Sequence, residues 1–340
     1  MIDMETRVCL ITPESLAWAK EIIEKGGVVA MPTETVYGLG GSAFNDAAVR
    51  KIFEVKGRPN NNPLIAHVHE TYDLSQIIDY DPPYAQKLRA AFLPGPLTLV
   101  YPSKGKVSPF VSCGLDTLAI RVPAHAGARA FLKKVGVPIV APSANISRHV
   151  SPTSAQHVLD DFDGKIPLIL DGGECTGGIE STVCDCTGEY PVILRPGLIT
   201  REMIEKVVGR CDEYAPDLEN PQQVKSPGML YKHYAPRCKT LLFSSKNVKN
   251  AILRYVKESQ ENKGVAVLCE EKWISEFEKI GAKCLNLGKN QAEMASRLYK
   301  LLREAERFCD TLIVVEPQES DGIMTGVLNR LRKACTSQDV

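Results

Sequence analysis

Between Met31 and Gly41 the chain reads MPTETVYGLGG, and fifteen residues later, from Lys56 to Leu64, KGRPNNNPL. Thr33, Glu34 and Thr35 put two hydroxyls and a carboxylate at the carboxyl end of the apolar run VVAMP, where open α/β sheets place their ligand crevice. Gly38, Gly40 and Gly41 leave room for backbone to approach a ligand. An ordinary strand-to-helix loop, its hydroxyls capping the next turn, has the same composition. Lys56 and Arg58 end a helical pattern, where cations complement the helix dipole. Yet Pro59 stops that helix, and Asn60, Asn61 and Asn62 add amides before the next strand. Two cations on one turn followed by amides make a cradle for polyphosphate, because arginine supplies a planar fork and lysine a point charge.

Other strand ends carry similar groups. His67 and His69 alternate in IAHVHE and share a face; with no third ligand evident, one active-site imidazole is more economical than a metal pair. Arg121 lies inside the apolar run TLAIRVP, and a buried arginine needs an anionic partner. Ser143 and Asn145 end the run PIVAPSAN, with Ser151 shortly after; Ser181 and Thr182 follow a glycine-rich turn, and Arg195 ends VILR. Together they outline a polar, cationic crevice suited to a multiply anionic ligand and a small zwitterion. There is no G-x-S-x-G elbow, no H-E-x-x-H and no carboxylate pair. Positioning and charge stabilisation therefore carry the chemistry.

The elements that must hold these groups are short runs rich in Val, Ile and Leu, bounded by Pro and Gly, from GVVAMP to PVILRPG. Helical patterns PESLAWAKEIIEKGG, DAAVRKIFEVKG, HAGARAFLKKVG and TSAQHVLDDFDGK lie between some of them, the second with Asp46 as its expected cap. Strands outnumber helices, which predicts a twisted mixed α/β sheet. From about Arg210 the aliphatics thin out, and residues 210–238 read as a linker or lid. Beyond it four strand–helix units in succession predict a smaller, Rossmann-like parallel α/β domain over 239–340. In its third helix Met294, Leu298, Leu301, Leu302, Ala305 and Phe308 share a face. No G-x-G-x-x-G or P-loop marks a nucleotide site there.

Forty-one basic residues balance forty-one acidic ones over 340 positions. Zero net charge, no basic tract and no aromatic platform in the crevice motifs disfavour the rival reading, an RNA-binding or translation-associated module whose cleft tracks a nucleic-acid backbone. Eleven scattered cysteines without C-x-x-C fit reduced thiols. The N-terminus lacks signal-peptide features, and no apolar run reaches the ~18–20 residues of a membrane span. A cytoplasmic protein is expected.

In order, PTETVYGLG, KGRPNNNPL, LPGPLTLV, LAIRVP, APSAN, GGIESTV and ILRPG resemble the YrdC-like domain of threonylcarbamoyl-AMP synthases. SPGMLYKHYAP and the trailing domain resemble the linker and second domain of that family's long form. The resemblance implies a catalytic domain over 1–209 and synthesis of threonylcarbamoyl-AMP and pyrophosphate from L-threonine, bicarbonate and ATP, with Mg2+ on the phosphates. Carbamate formation on the amine would precede attack on the α-phosphorus. The product would feed the threonylcarbamoyladenosine modification of tRNA through a downstream transferase; direct tRNA binding is not required. By motif position, Thr35, His67, Arg121 and Ser181 would hold threonine. Lys56, Arg58 and Asn62 would face the phosphates, with Lys56 and Arg58 catalytic. Thr117, Ser143, Ser151 and Arg195 would contact the nucleotide, and Tyr234, beside Tyr231 and His233, would close over it. No protein ligand to the metal is assigned.

Overall fold

The computed structural model describes residues 5–60, 62–214, 234–261, 264–318 and 320–339. Asn61 and most of the expected linker, with Tyr231 and His233, lie outside them. The described residues fall into two compact units. One takes residues 5–147, 152–176 and 180–214; the other takes 148–151, 177–179 and the chain from Tyr234 onward.

The first unit has strands β1 (Arg7–Leu10), β2 (Val29–Met31), β3 (Gly38–Ser42), β4 (Ile65–His67), β5 (Leu97–Pro102), β6 (Thr117–Arg121), β7 (Ile139–Val140), β8 (Leu168–Asp171), β9 (Thr182–Asp185), β10 (Val192–Arg195) and β11 (Asp212–Glu213). They form one sheet in the order β1-β8-β2-β3-β7-β4-β6-β5-β9-β10-β11. Parallel pairs such as β4 with β6 sit beside antiparallel pairs such as β5 with β6, the mixed sheet that the surplus of strands predicts. Its helices are α1 (Pro13–Glu24), α2 (Asp46–Lys56), α3 (Pro83–Phe92), α4 (Pro109–Ser112), α5 (Ala126–Val135), α6 (Ala155–Phe162) and α7 (Arg201–Val208).

Alternation along the strands explains the continuous apolar runs. Val29 and Met31 of β2, with Leu168 and Leu170 of β8, pack against Ala19 and Ile23 of α1 and Phe131 and Leu132 of α5. Ala30 and Ile169 belong instead to the larger core holding Ile52, Leu88 and Phe162. A strand buried on both faces cannot show polar alternation.

Two local expectations are corrected. The cap of α2 is Asn45, whose extended backbone lets its side chain accept from the Ala48 N–H, while Asp46 enters the first turn. The cluster Gly38–Gly41 is not open loop but β3, paired with β2 and β7. A side chain there would meet neighbouring elements: a Cβ on Gly40 would sit 2.7 Å from Cγ2 of Ile139 on β7, and one on Gly41 would sit 3.3 Å from Cβ of Ala48 on α2.

The second unit carries β12 (Lys239–Phe243), β13 (Val265–Cys269), β14 (Lys283–Asn286), β15 (Thr311–Val315) and β16 (Ser337–Asp339), with α8 (Val248–Glu261), α9 (Ile274–Glu278), α10 (Gln291–Ala305) and α11 (Ile323–Ala334). All neighbours in the order β14-β13-β15-β12-β16 are parallel. The four expected units are present and a fifth strand follows them. On α10, Met294, Leu298, Leu302 and Ala305 are buried, while Leu301 is half-buried.

Arg303, on the same helix, is also buried and donates through Nε (3.1 Å) and Nη2 (2.6 Å) to the Val150 carbonyl. Just past α10, Glu306 accepts from His149 Nε2 at 2.8 Å and from the Arg237 N–H at 3.1 Å. Segment 177–179 meets the helix at its backbone: a Cβ on Gly178, at φ +72°, would lie 2.3 Å from the Ala295 oxygen. Helix α10 thus grips both short segments that this unit takes from the earlier chain.

Burial raises the Glu306 carboxyl, but the His149 bond and the Arg237 N–H lower it further, so it titrates below the ordinary glutamate value. A depressed carboxyl stabilises the fold above its unfolded pKa of about 4.3 and loses that contribution as pH falls through the folded value. Glu306→Gln should cost the second unit about 1–3 kcal/mol near neutral pH. The gap from wild type should close in acid, as read from hydrogen-exchange protection of α10 across pH.

Candidate active site

Strands β4 and β6 run side by side in parallel and pair His67 with Arg121. Arg121 is only 3% exposed. Its Nη1 donates to the Thr35 hydroxyl at 2.8 Å and its Nε to the Gly95 carbonyl at 3.2 Å. Its Nη2 lies 2.7 Å from Glu34 Oε1, an ion pair by distance in which neither atom completes an aligned hydrogen bond. The other carboxylate oxygen, Oε2, accepts from the Ala124 N–H at 3.0 Å. The tripeptide Thr33–Thr35 is also self-braced: the Thr33 hydroxyl meets that of Thr35 at 2.9 Å, accepts from the Val36 N–H and donates to the Val36 carbonyl. Gly95 donates to the Val122 carbonyl at 2.8 Å, so the LPGP turn holds Arg121 by both chain and side chain.

His67 is buried, and its Nδ1 has no hydrogen-bond partner. Burial first, and the Arg121 charge second, push its pKa down to about 3, so the imidazole is neutral. On the far side of β6, β5 carries Thr98, whose hydroxyl is 2.8 Å from that of Ser181 at the start of β9. Arg195 fixes Ser181, donating Nε (3.1 Å) and Nη2 (3.0 Å) to its carbonyl and Nη2 to its hydroxyl at 3.2 Å. Four adjacent strands, β4, β6, β5 and β9, thus set out His67, Arg121, Thr98 and Ser181.

Lys56, buried at the end of α2, donates to the carbonyls of Ser143 and Asn145. It ties the PSAN turn to the helix, and an isolated antiparallel bridge sets Ser143 opposite Gly38. Beyond the left-handed cap at Gly57, Arg58 donates to the Asn62 carbonyl at 3.2 Å. Asn62 is buried, its Oδ1 without a hydrogen-bond partner. Thr117 opens β6 and is half-buried.

Ser151 and Tyr234 belong to the second unit. Ser151 is buried directly after the Val150 carbonyl that Arg303 holds. Tyr234, at φ +69°, is stacked on Tyr299 at 5.3 Å between ring centroids. His69 is half-buried and contacts the Thr71 hydroxyl at 3.1 Å, a surface role.

Sequence reading assigned no role to Gly95 or Thr98 and gave Glu34 no partner. These depend on strand neighbours far apart in sequence, for which local pattern has no signal. Cys175 packs near Glu34 and Arg121, and burial pushes its thiol up to about 12, which leaves it without nucleophilic character. Among the described residues no group of three His, Cys, Asp or Glu could hold a metal ion. The arrangement offers a buried cation beside a carboxylate, a neutral imidazole and hydroxyls, with further cations on α2 and just after it. It can orient a small polar molecule and stabilise negative charge without a covalent intermediate.

Comparison with known proteins identifies relatives of this chain. A family model described as "Telomere recombination" matches residues 21–197, and one described as "Threonylcarbamoyl-AMP synthase, C-terminal domain" matches 199–336. Threonylcarbamoyl-AMP synthase of Pyrococcus abyssi is 42% identical over 93% of this chain and 92% of its own length. The Bacillus subtilis protein of the same name is 40% identical over 98% of this chain and 96% of its own. Among solved structures, P. abyssi Sua5 complexed with L-threonine superposes with a TM-score of 0.87 at 39% identity, covering 97% of this chain and 96% of that one.

The His67 ring nitrogens should keep neutral-imidazole NMR shifts throughout pH 5–8. The folded pKa lies below the unfolded value of about 6.5. Between the two, the unfolded chain binds a proton that the folded one does not, so stability should fall as pH drops through that window.

Proposed function

The chain belongs to the threonylcarbamoyl-AMP synthase family, and on that premise we propose that it condenses L-threonine, bicarbonate and ATP to threonylcarbamoyl-AMP, pyrophosphate and water. The observation that carries the substrate assignment is the buried Arg121, whose Nη2 pairs with Glu34 without an aligned hydrogen bond, beside Thr35 and His67, in a chain whose relative is solved with L-threonine bound. Arg121 takes the amino-acid carboxylate through its planar fork. Thr35, Ser181 and His67 supply short polar contacts for the rest of the amino acid.

Lys56 and Arg58 face the triphosphate with Asn62, and Thr117, Ser143 and Arg195 contact the rest of the nucleotide. The resemblance alone assigns Ser151 and Tyr234 to nucleotide contacts. The protein groups near the phosphates are cations, amides and hydroxyls, which suit phosphate oxygens rather than a dedicated metal cage. Magnesium accordingly enters as part of the ATP substrate, where it neutralises phosphate charge. The ammonium of threonine first gives its proton to solvent, and the free amine then adds to the carbon of bicarbonate with loss of water. A carbamate oxygen then displaces pyrophosphate from the α-phosphorus. The chain's own part is alignment of the two reactants and screening of charge on the leaving pyrophosphate.

The product, a mixed anhydride prone to hydrolysis, would pass to a transferase acting on tRNA. A reducing compartment, the cytoplasm, suits the eleven free thiols. No described helix is long and apolar enough to cross a membrane.

A product assay with ATP, magnesium and bicarbonate, with or without L-threonine, tests the reading by mass spectrometry and pyrophosphate release. Both product and pyrophosphate should require threonine and bicarbonate; pyrophosphate release indifferent to threonine refutes the assignment. Arg58→Ala should raise KM for ATP by about tenfold or more, the scale of a lost charged hydrogen bond, and leave KM for threonine near wild type.

A further inference from the structure

The Arg121–Glu34 pair is more than a buried cation with its counterion. Arg121 spends Nη1 on Thr35 and Nε on Gly95, and Glu34 spends Oε2 on Ala124. The atoms left without an aligned hydrogen bond are Nη2 and Oε1, 2.7 Å apart and both buried. Buried polar atoms are as a rule hydrogen-bonded, and a charged pair serving only stability would align. The Glu34 side chain is also more open than that of Arg121, at 13% against 4% exposure.

A ligand bearing only a carboxylate would meet Arg121 with Glu34 alongside and feel like-charge repulsion. A zwitterion with ammonium and carboxylate on one carbon meets neither problem: each charge finds its opposite, and the two protein groups are separated from one another without either being left bare. We infer that Glu34 is a substrate-binding residue that receives the ammonium of the amino acid whose carboxylate Arg121 holds, so that the pair selects α-amino acids over acids lacking the amine. This rests on the function proposed above and adds the partner for the amine.

The test is calorimetric binding of L-threonine and of 2,3-dihydroxybutanoate of matching configuration, in which a hydroxyl replaces the ammonium, to wild type and Glu34→Gln, together with KM for threonine and ATP. Wild type should prefer threonine by at least about tenfold, the scale of one charged hydrogen bond. Glu34→Gln, which keeps the shape and the Ala124 bond, should lose most of that preference and raise KM for threonine while KM for ATP stays put. If Glu34 merely orients Arg121, both ligands weaken by the same factor and the ratio is preserved, which overturns the inference. Equal affinity of wild type for the two ligands overturns it without any variant and leaves the proposed function standing. Wild type that binds neither ligand and makes no product overturns the function itself, and the inference with it.

Discussion

A guanidinium buried in the middle of a large sheet is the constraint around which this protein is arranged. Taking a cation out of water costs several kcal/mol unless charge and hydrogen bonds replace the lost hydration. Arg121 recruits them from three separate places: the turn after β2 supplies Thr35 and Glu34, the turn before β5 supplies the Gly95 carbonyl, and β6 supplies the frame. None of these segments is near another in sequence. Burial, reinforced by the charge of the fixed arginine, holds the neighbouring imidazole neutral. The apolar runs, the short turns and the order β4-β6-β5-β9 can all be understood as the means of holding one charge at a chosen depth.

Zero net charge conceals this arrangement, because the cations of the site are offset elsewhere in the chain. Selectivity here comes from where charges are fixed rather than from how many there are. The same logic accounts for the lack of a nucleophile. The Cys175 thiol is held protonated by burial, and the hydroxyls of Thr33, Thr35, Thr98 and Ser181 are engaged in pairs rather than with a base. A preorganised polar wall replaces chemistry that would otherwise need an activated side chain.

Much of this was legible in the sequence where local physics decides. Short apolar runs with proline and glycine boundaries, strand–helix units in succession, and an arginine stranded among aliphatics pointed to the mixed sheet, the parallel second unit and the importance of Arg121. What stayed hidden depends on neighbours. Gly38, Gly40 and Gly41 look like loop, yet they lie in β3, and at Gly40 the reason for having no side chain is Ile139, a hundred residues on. Asn45 outcompetes Asp46 as a cap through one backbone angle. Glu34 is an unremarked carboxylate until β6 brings Arg121 beside it. Arg303, an ordinary helix cation in sequence, is buried because a carbonyl from residue 150 waits for it.

That carbonyl leads to a consequence for the protein's history. Residues 148–151 and 177–179 fold with the C-terminal unit although more than fifty positions of other structure separate them from it along the chain. The contacts they make are particular: a carbonyl for Arg303, an imidazole for Glu306, a missing Cβ against Ala295. A unit joined to the rest by one peptide alone could be exchanged or discarded by recombination at that joint. One woven through the earlier chain at two further places must be inherited with its stitches, so His149 and Glu306, the pair in direct contact, are expected to change together.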